Sequence, residues 1–313
     1  MIKILITGGA GFIPSSLAGG LIASSNYYVV AVDNFITGNS SNLPRAENFK
    51  FIKCDVNNYE DIAPVMMHYG FDYVFHYAAL VGVKRTLDNP LLVLRDIDGF
   101  KNIFGLAKNT DVKRVFFSSS SEVYGEPVEL PQNEITTPLN SRLPYAVVKN
   151  VGESYCRSFY QEFNLNYTIF RFFNTYGPKQ SKDFVMSKFI ALAKANNDIT
   201  IYGDGSQTRT FCFIEDNIEA TINSLEKELF VNEVINVGSD EILSIRELAE
   251  KIVTKLNSKS KIINLPPLAE GDMTRRMPDI SNMRKLLGKD LVTIDRGIEI
   301  LLSSESNNQN RNQ

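Results

Sequence analysis

A chain of 313 residues, 43% apolar and 22% charged, can bury a large core, and its composition excludes a disordered protein. A formal net charge of −3 without a basic block argues against a nucleic-acid partner and points to small molecules. Cys54, Cys156 and Cys212 lie far apart and the chain holds two histidines, so neither a disulfide framework nor a zinc site is indicated.

In chain order, the N-terminus enters a strand, IKILIT (2–7), with no charged-then-apolar leader, and no apolar run approaches the roughly 18 residues of a membrane span. No membrane attachment and a cytoplasmic location are expected. Gly8, Gly9 and Gly11 follow this strand and precede a helical pattern. In that context the backbone can approach a pyrophosphate closely while the first helical amides, Phe12 and Ile13, face the anion. A third glycine is usual where Pro14 stands. If the helix starts near Gly11 or Phe12, Pro14 lies in its first turn, where an amide has no intrahelical acceptor, so the turn is expected to shift slightly and still bind.

The next strand, YVVAVD (28–33), ends in Asp33, 25 residues after Gly8. A carboxylate there suits ribose hydroxyls and repels a 2′-phosphate, which favours NAD over NADP. Short apolar runs continue with FKFIKC (49–54), YVFHY (73–77), VKRVFFSS (112–119) and YTIFRFF (167–173), alternating with helical segments. Strands covered on both faces and separated by helices predict an α/β fold with a doubly wound parallel (Rossmann) sheet. In PYAVVKN, Tyr145 and Lys149 are four apart on a helical pattern, so both project from one face. An ammonium beside the phenol would favour the phenolate, a candidate base. FFSSSSEVYGEP ends a central strand at the edge where open α/β sheets bind ligands. Beyond residue 175 the rhythm changes to loops such as YGPKQ and YGDGSQ, a helix at 244–256, and the loop KIINLPPLAEGDMTRRMPD. This predicts a cofactor domain over 1–175, a smaller C-terminal substrate-binding domain over 176–302, and a frayed polar tail over 303–313.

The glycine turn, the serine-rich strand end and the Tyr145/Lys149 pair together resemble the extended short-chain dehydrogenase/reductase family of nucleotide-sugar epimerases, dehydratases and decarboxylases, from ITGGAGFI to RRMPDIS. The resemblance implies NAD as a recycled cofactor and a nucleotide-sugar substrate, most simply UDP-linked. It implies Tyr145 as base on the sugar C4 hydroxyl, Lys149 as its electrostatic partner and a ribose ligand, and Ser120 as the hydroxyl sharing the proton. Gly8, Gly11, Phe12 and Ile13 would cradle the cofactor's diphosphate, Asp33 and Asn34 its adenosine ribose, Asp55 and Val56 its adenine, and Ala78 and Ala79 its length. Asn174, Arg209, Arg275, Arg276 and Asp279 would hold the substrate's nucleotide diphosphate and ribose. A homodimer through the helices of residues 91–108 and 146–163 is also implied.

Glu122 bears on the reaction. A carboxylate there is similar to dehydratases and decarboxylases, which use it at C5 or C6, but the aspartate that 4,6-dehydratases place before it is Ser121 here. SSSSEVYG and RRMPDIS look like UDP-glucuronate decarboxylases, whereas AALVGVKRTLDNP (78–90) looks like epimerases; Lys84 and Arg85 in it could meet a sugar carboxylate. Asp96 and Phe100 stand where the family usually has asparagine and threonine. The favoured reading is a 4-epimerase. Decarboxylation, an unusual dehydration using Glu122, and a non-catalytic nucleotide-binding protein are the alternatives.

Overall fold

The structure, a computed structural model, describes residues 1–267 and 275–310, with the side chains of 83, 84 and 304–310 outside that description. The first half alternates strand and helix: β1 (Ile2–Thr7), α1 (Phe12–Ile22), β2 (Tyr27–Asp33), β3 (Phe49–Lys53), α2 (Tyr59–Tyr69), β4 (Tyr73–His76), α3 (Val83–Asp88), α4 (Pro90–Leu94), α5 (Asp96–Asn109), β5 (Arg114–Ser120), α6 (Pro144–Phe163) and β6 (Asn166–Phe172). These are the six expected strands, with ends shifted by up to two residues.

The second half carries β7 (Thr175–Tyr176), α7 (Val185–Lys194), β8 (Ile199–Tyr202), β9 (Thr208–Thr210), β10 (Cys212–Phe213), α8 (Ile214–Glu226), β11 (Glu233–Val237), β12 (Ile242–Ser244), α9 (Ile245–Lys255), β13 (Ile262–Leu265), α10 (Ser281–Leu287) and α11 (Ile294–Asn310). A capping box between Ser244 and Glu247 starts α9 where the sequence predicts a helix. The helix α11 continues to Asn310, over most of the stretch read as a frayed tail, anchored by buried Ile298 and Leu301.

Seven parallel strands form the main sheet in the order β11-β6-β5-β4-β1-β2-β3. Alternate residues serve opposite faces: Ile4 and Ile6 pack with Leu17, Leu21 and Ile235, while Leu5 packs with Val30, Ile103, Phe104 and Val148. The seventh strand escapes the sequence reading because EVINV is short and follows an irregular stretch. It lies beyond residue 175 and pairs with β6, and α8 packs on α1, so the chain returns to the sheet layer after entering the smaller part. That part holds three two-stranded pairs, β7–β10, β8–β13 and β9–β12. Among the described residues no helix is long and apolar enough to cross a membrane.

Candidate active site

The glycine turn joins β1 to α1. Gly8 takes φ +69°, and a Cβ there would lie 2.8 Å from the Cα of Ala78, so only glycine lets β1 and β4 end this close. Gly11 is the N-cap and offers no side chain, leaving the amides of Phe12 and Ile13 uncapped at the helix mouth. The first helical bond runs from the Ser15 amide to the Gly11 carbonyl at 3.1 Å. Pro14 is therefore the third helical residue, and its ring removes no intrahelical donor.

Asp33 closes β2 with both oxygens engaged: the Ala10 amide donates to Oδ2 (3.0 Å) and the Phe35 amide to Oδ1 (2.7 Å). Burial pushes its carboxyl up, and these two amides oppose the rise. Asn34 accepts from the Ile36 amide. Residues 34–43 strap the turn: the Asn39 amide and the Asn42 Nδ2 both donate to the Ala10 carbonyl, and Lys179 Nζ, from the far half of the chain, reaches the Asn42 carbonyl at 3.0 Å. A Cβ on Gly38 would fall 2.7 Å from the Asp33 carboxylate, so this strap needs glycine to lie flat.

Asp55 accepts from the Asn57 amide, buried Val56 accepts through its carbonyl from Asn102, and the Ala78 amide donates to Thr7 Oγ1. Ala79 lies next to Leu80, whose amide donates to Asp96 Oδ2 at 2.9 Å, and Asn57 Nδ2 lies 3.5 Å from Asp96 Oδ1. Asp96 thus cross-links the stretches after β3 and β4. Burial raises its carboxyl, opposed by the Leu80 amide and the charge of Lys149. Phe100 fills the space beneath, edge-on to His76 and Phe117. His76 pairs with Thr7 Oγ1 at 2.8 Å; burial, then the Lys149 charge, push its imidazole down to about 3, so it is neutral.

At the end of β5, Ser120 Oγ accepts from the Glu122 amide (3.2 Å) and starts the tight turn Ser121–Tyr124. Pro144 opens α6, which places Tyr145 in its first turn and Lys149 one turn on. The α6 helix packs on β5, which brings Tyr145 to the strand end that carries Ser120. Lys149 is 2% exposed, and its Nζ donates to the Ser118 carbonyl (2.6 Å) and lies 3.3 Å from Ser118 Oγ and 5.8 Å from the centroid of the Tyr145 ring. Burial lowers the ammonium to about 8, with Asp96 opposing. Burial, then the charges of Glu122 and Asp96, push the phenol up, opposed by the Ser120 hydroxyl.

On the substrate side, Asn174 Nδ2 donates to the Thr210 carbonyl, buried Arg209 to the Thr208 carbonyl, and exposed Arg275 bridges to Thr208. Asp279 is engaged by Asn133 and by Ser281 of its own turn. Arg85 donates to the Val81 carbonyl and lies 3.5 Å from Asp183, both side chains well exposed; the side chain of Lys84 lies outside the described residues. Arg276, expected on a phosphate or ribose, faces Glu122. Its Nη2 lies 2.7 Å from Glu122 Oε1, with side chains 8% and 17% exposed. The chain contacts of 276–279 deliver it there.

Sequence reasoning missed the frame below this cluster. Glu153, two turns after Tyr145 and fully buried, takes both its oxygens to Arg171 (2.8 Å each), with Ser119 and Arg157 also donating. Arg171 Nη1 donates to the Tyr124 hydroxyl, which donates to Asn236 Oδ1. The signal was present: an arginine inside the apolar run IFRFF must find a buried acid.

A family model described as "NAD dependent epimerase/dehydratase family" matches residues 4–238. A putative UDP-glucose 4-epimerase of Methanocaldococcus jannaschii is 33% identical over 312 residues, covering 97% of this chain and 99% of that protein. A UDP-N-acetyl-alpha-D-glucosaminuronate decarboxylase of Bacillus cytotoxicus is 34% identical over 299 residues, 91% of each chain. The crystal structure of a UDP-glucose 4-epimerase of Thermotoga maritima with UDP-glucose superposes with a TM-score of 0.92 at 28% identity, covering 98% of this chain and all of that one.

Proposed function

The chain belongs to the NAD dependent epimerase/dehydratase family, and from that premise we propose that it is a UDP-sugar 4-epimerase working through a transient 4-keto sugar. The observation that carries this reading is Ser120 at the carboxyl end of β5 with α6 packed on that strand, so that Tyr145 opens the helix there and Lys149, one turn on, is anchored on Ser118 of the same strand. The turn fits the cofactor: Gly8 allows a close backbone approach, the uncapped amides of α1 suit a diphosphate, and each Asp33 oxygen keeps a lone pair for a ribose hydroxyl. When bound, NAD supplies a hydride acceptor and a cationic ring.

In this reading Tyr145 takes the C4 hydroxyl proton, with the Ser120 hydroxyl sharing it, and returns it after the sugar has turned over. Buried Lys149 holds positive charge beside the tyrosine ring while anchored on Ser118. Gly8, Gly11, Phe12, Ile13, Asp33, Asn34, Asp55, Val56, Ala78 and Ala79 line the cofactor's course, and Asn174, Arg209 and Arg275 serve the nucleotide handle, whose binding energy is remote from C4. The Arg276 ion pair neutralises Glu122, which disfavours a free base at C5. The second reading, decarboxylation of a UDP-uronate, is favoured by the decarboxylase relative. The three thiols, buried and free, suit a cytoplasmic enzyme. We further propose a homodimer through α4–α6.

Mass spectrometry of the NAD-supplied protein incubated with UDP-glucose, UDP-N-acetylglucosamine and UDP-glucuronate tests the reading. Conversion to an epimer of unchanged mass is expected for at least one. Loss of carbon dioxide establishes the second reading, and loss of water or no conversion of any sugar overturns both.

A further inference from the structure

We propose that Lys179 is a latch: from the substrate half of the chain it holds the 34–43 strap against the cofactor turn and so slows the release of NAD. The inference rests on NAD residing in that turn. An enzyme that gives back to the sugar what it takes must keep its dinucleotide through the whole cycle. The strap borders the groups that would hold it. The Phe35 amide donates to Asp33 Oδ1, Gly38 passes close to the Asp33 carboxylate and to Ala10, and Phe35, Thr37, Gly38, Asn39 and Ser40 line an open hollow. Beyond Gly38 the strap hangs from the Ala10 carbonyl, which accepts from the Asn39 amide and from Asn42 Nδ2. Lys179 Nζ grips the same Asn42 by its carbonyl at 3.0 Å, across 137 residues of chain.

The arm that carries Lys179 is fixed on both sides of it. Gly177 packs so closely on the start of α1 that a Cβ there would lie 3.3 Å from the Phe12 ring and 2.4 Å from Ile214. The Gln180 amide donates to the Gly177 carbonyl at 3.3 Å, and the Gln180 side chain donates to the Thr175 carbonyl (2.7 Å) and accepts from Ser187 of α7 (2.8 Å). Between these anchors Lys179 takes φ +72°, the left-handed backbone that glycine adopts without strain. A long cationic residue kept at such a position points to use of its side chain. Asp183, four residues on, lies 3.5 Å from Arg85 of α3, but both side chains are well exposed and such a pair contributes little.

Release is read by loading the protein with NADH, mixing it with excess NAD and following the change in NADH fluorescence. Lys179→Met should release NADH about fivefold faster, the share of one hydrogen bond, with the association rate little moved. Lys179→Gly should do the same while melting no lower than the wild type, because it relieves the left-handed backbone. Lys179→Arg, which keeps a charged donor, should stay near the wild type. Arg45 is exposed just beyond the strap, so trypsin cutting after it in nucleotide-free protein reads strap opening without any cofactor, and it should quicken in Lys179→Met. Release unmoved in both Lys179→Met and Lys179→Gly overturns the latch and leaves the cofactor site standing. Faster release with unmoved trypsin cutting overturns the strap as its route. A wild type that binds no NADH overturns the latch and the cofactor site together. Faster release and cutting in a protein that converts no UDP-sugar support the latch and sink the epimerase reading instead.

Discussion

Single residues at this site are set by what surrounds them more than by their type. His76 shows it: an ordinary imidazole protonates near pH 6.5, but burial between Thr7 and the rings of Phe100 and Phe117, with Lys149 nearby, holds this one neutral down to about 3. Between those values the unfolded chain binds a proton that the folded chain refuses, so stability rises with pH through the window and is lost as pH falls through it. One such group shifts stability by about 2 kcal/mol between pH 5 and pH 7. His76→Gln should therefore weaken the pH dependence of urea unfolding by about that amount. An unchanged difference between the two pH values would show that His76 takes up its proton in the folded state. Pro14 illustrates the converse. Its chemistry looks disruptive in sequence, and its position in the first turn makes it harmless to the helix.

Among the elements, α6 carries most of the burden. Its first two turns present Tyr145 and Lys149, and its third buries Glu153 against Arg171 of β6 and Ser119 of β5. The bidentate pair ties α6 to two strands, and Arg171 extends the tie through Tyr124 to the turn holding Glu122. A buried carboxylate stripped of its main partner is costly. Arg171→Met should lower unfolding stability by about 3–5 kcal/mol, while Arg171→Met combined with Glu153→Leu should recover much of the loss, because no charge is then stranded. Denaturant titration of the two variants tests this, and a double variant no more stable than the single one would mean that the pair contributes packing and not charge balance.

At the scale of the molecule, parallel pairing spreads one sheet across both halves of the chain, and the helices on one face leave apolar side chains in solvent. Leu91, Leu94, Val147, Tyr160 and Phe163, on α4 and α6, are each at least 40% exposed. Such a patch is what a second copy would cover. Light scattering at micromolar concentration should give twice the 35.2 kDa chain mass, and Leu91→Lys with Val147→Glu should return it to the monomer. A monomeric wild type would refute the dimer.

The sequence by itself determined the six leading strands, the glycine turn, the start of α1 before Pro14 and the family, because each depends on residues close together in the chain. Periodicity and turn chemistry are local signals. Glu122 and Arg276 could each be named from sequence, yet not as partners, and Lys179 gave no sign that it would close the strap over the cofactor turn. The edge strand EVINV, the Glu153–Arg171 pair and the anchoring of Lys149 on Ser118 were likewise decided only by tertiary structure. In each case the deciding contact joins segments that the sheet brings together across tens to hundreds of residues. The strength of a charge there depends on burial and on the opposing charge, which no local pattern encodes.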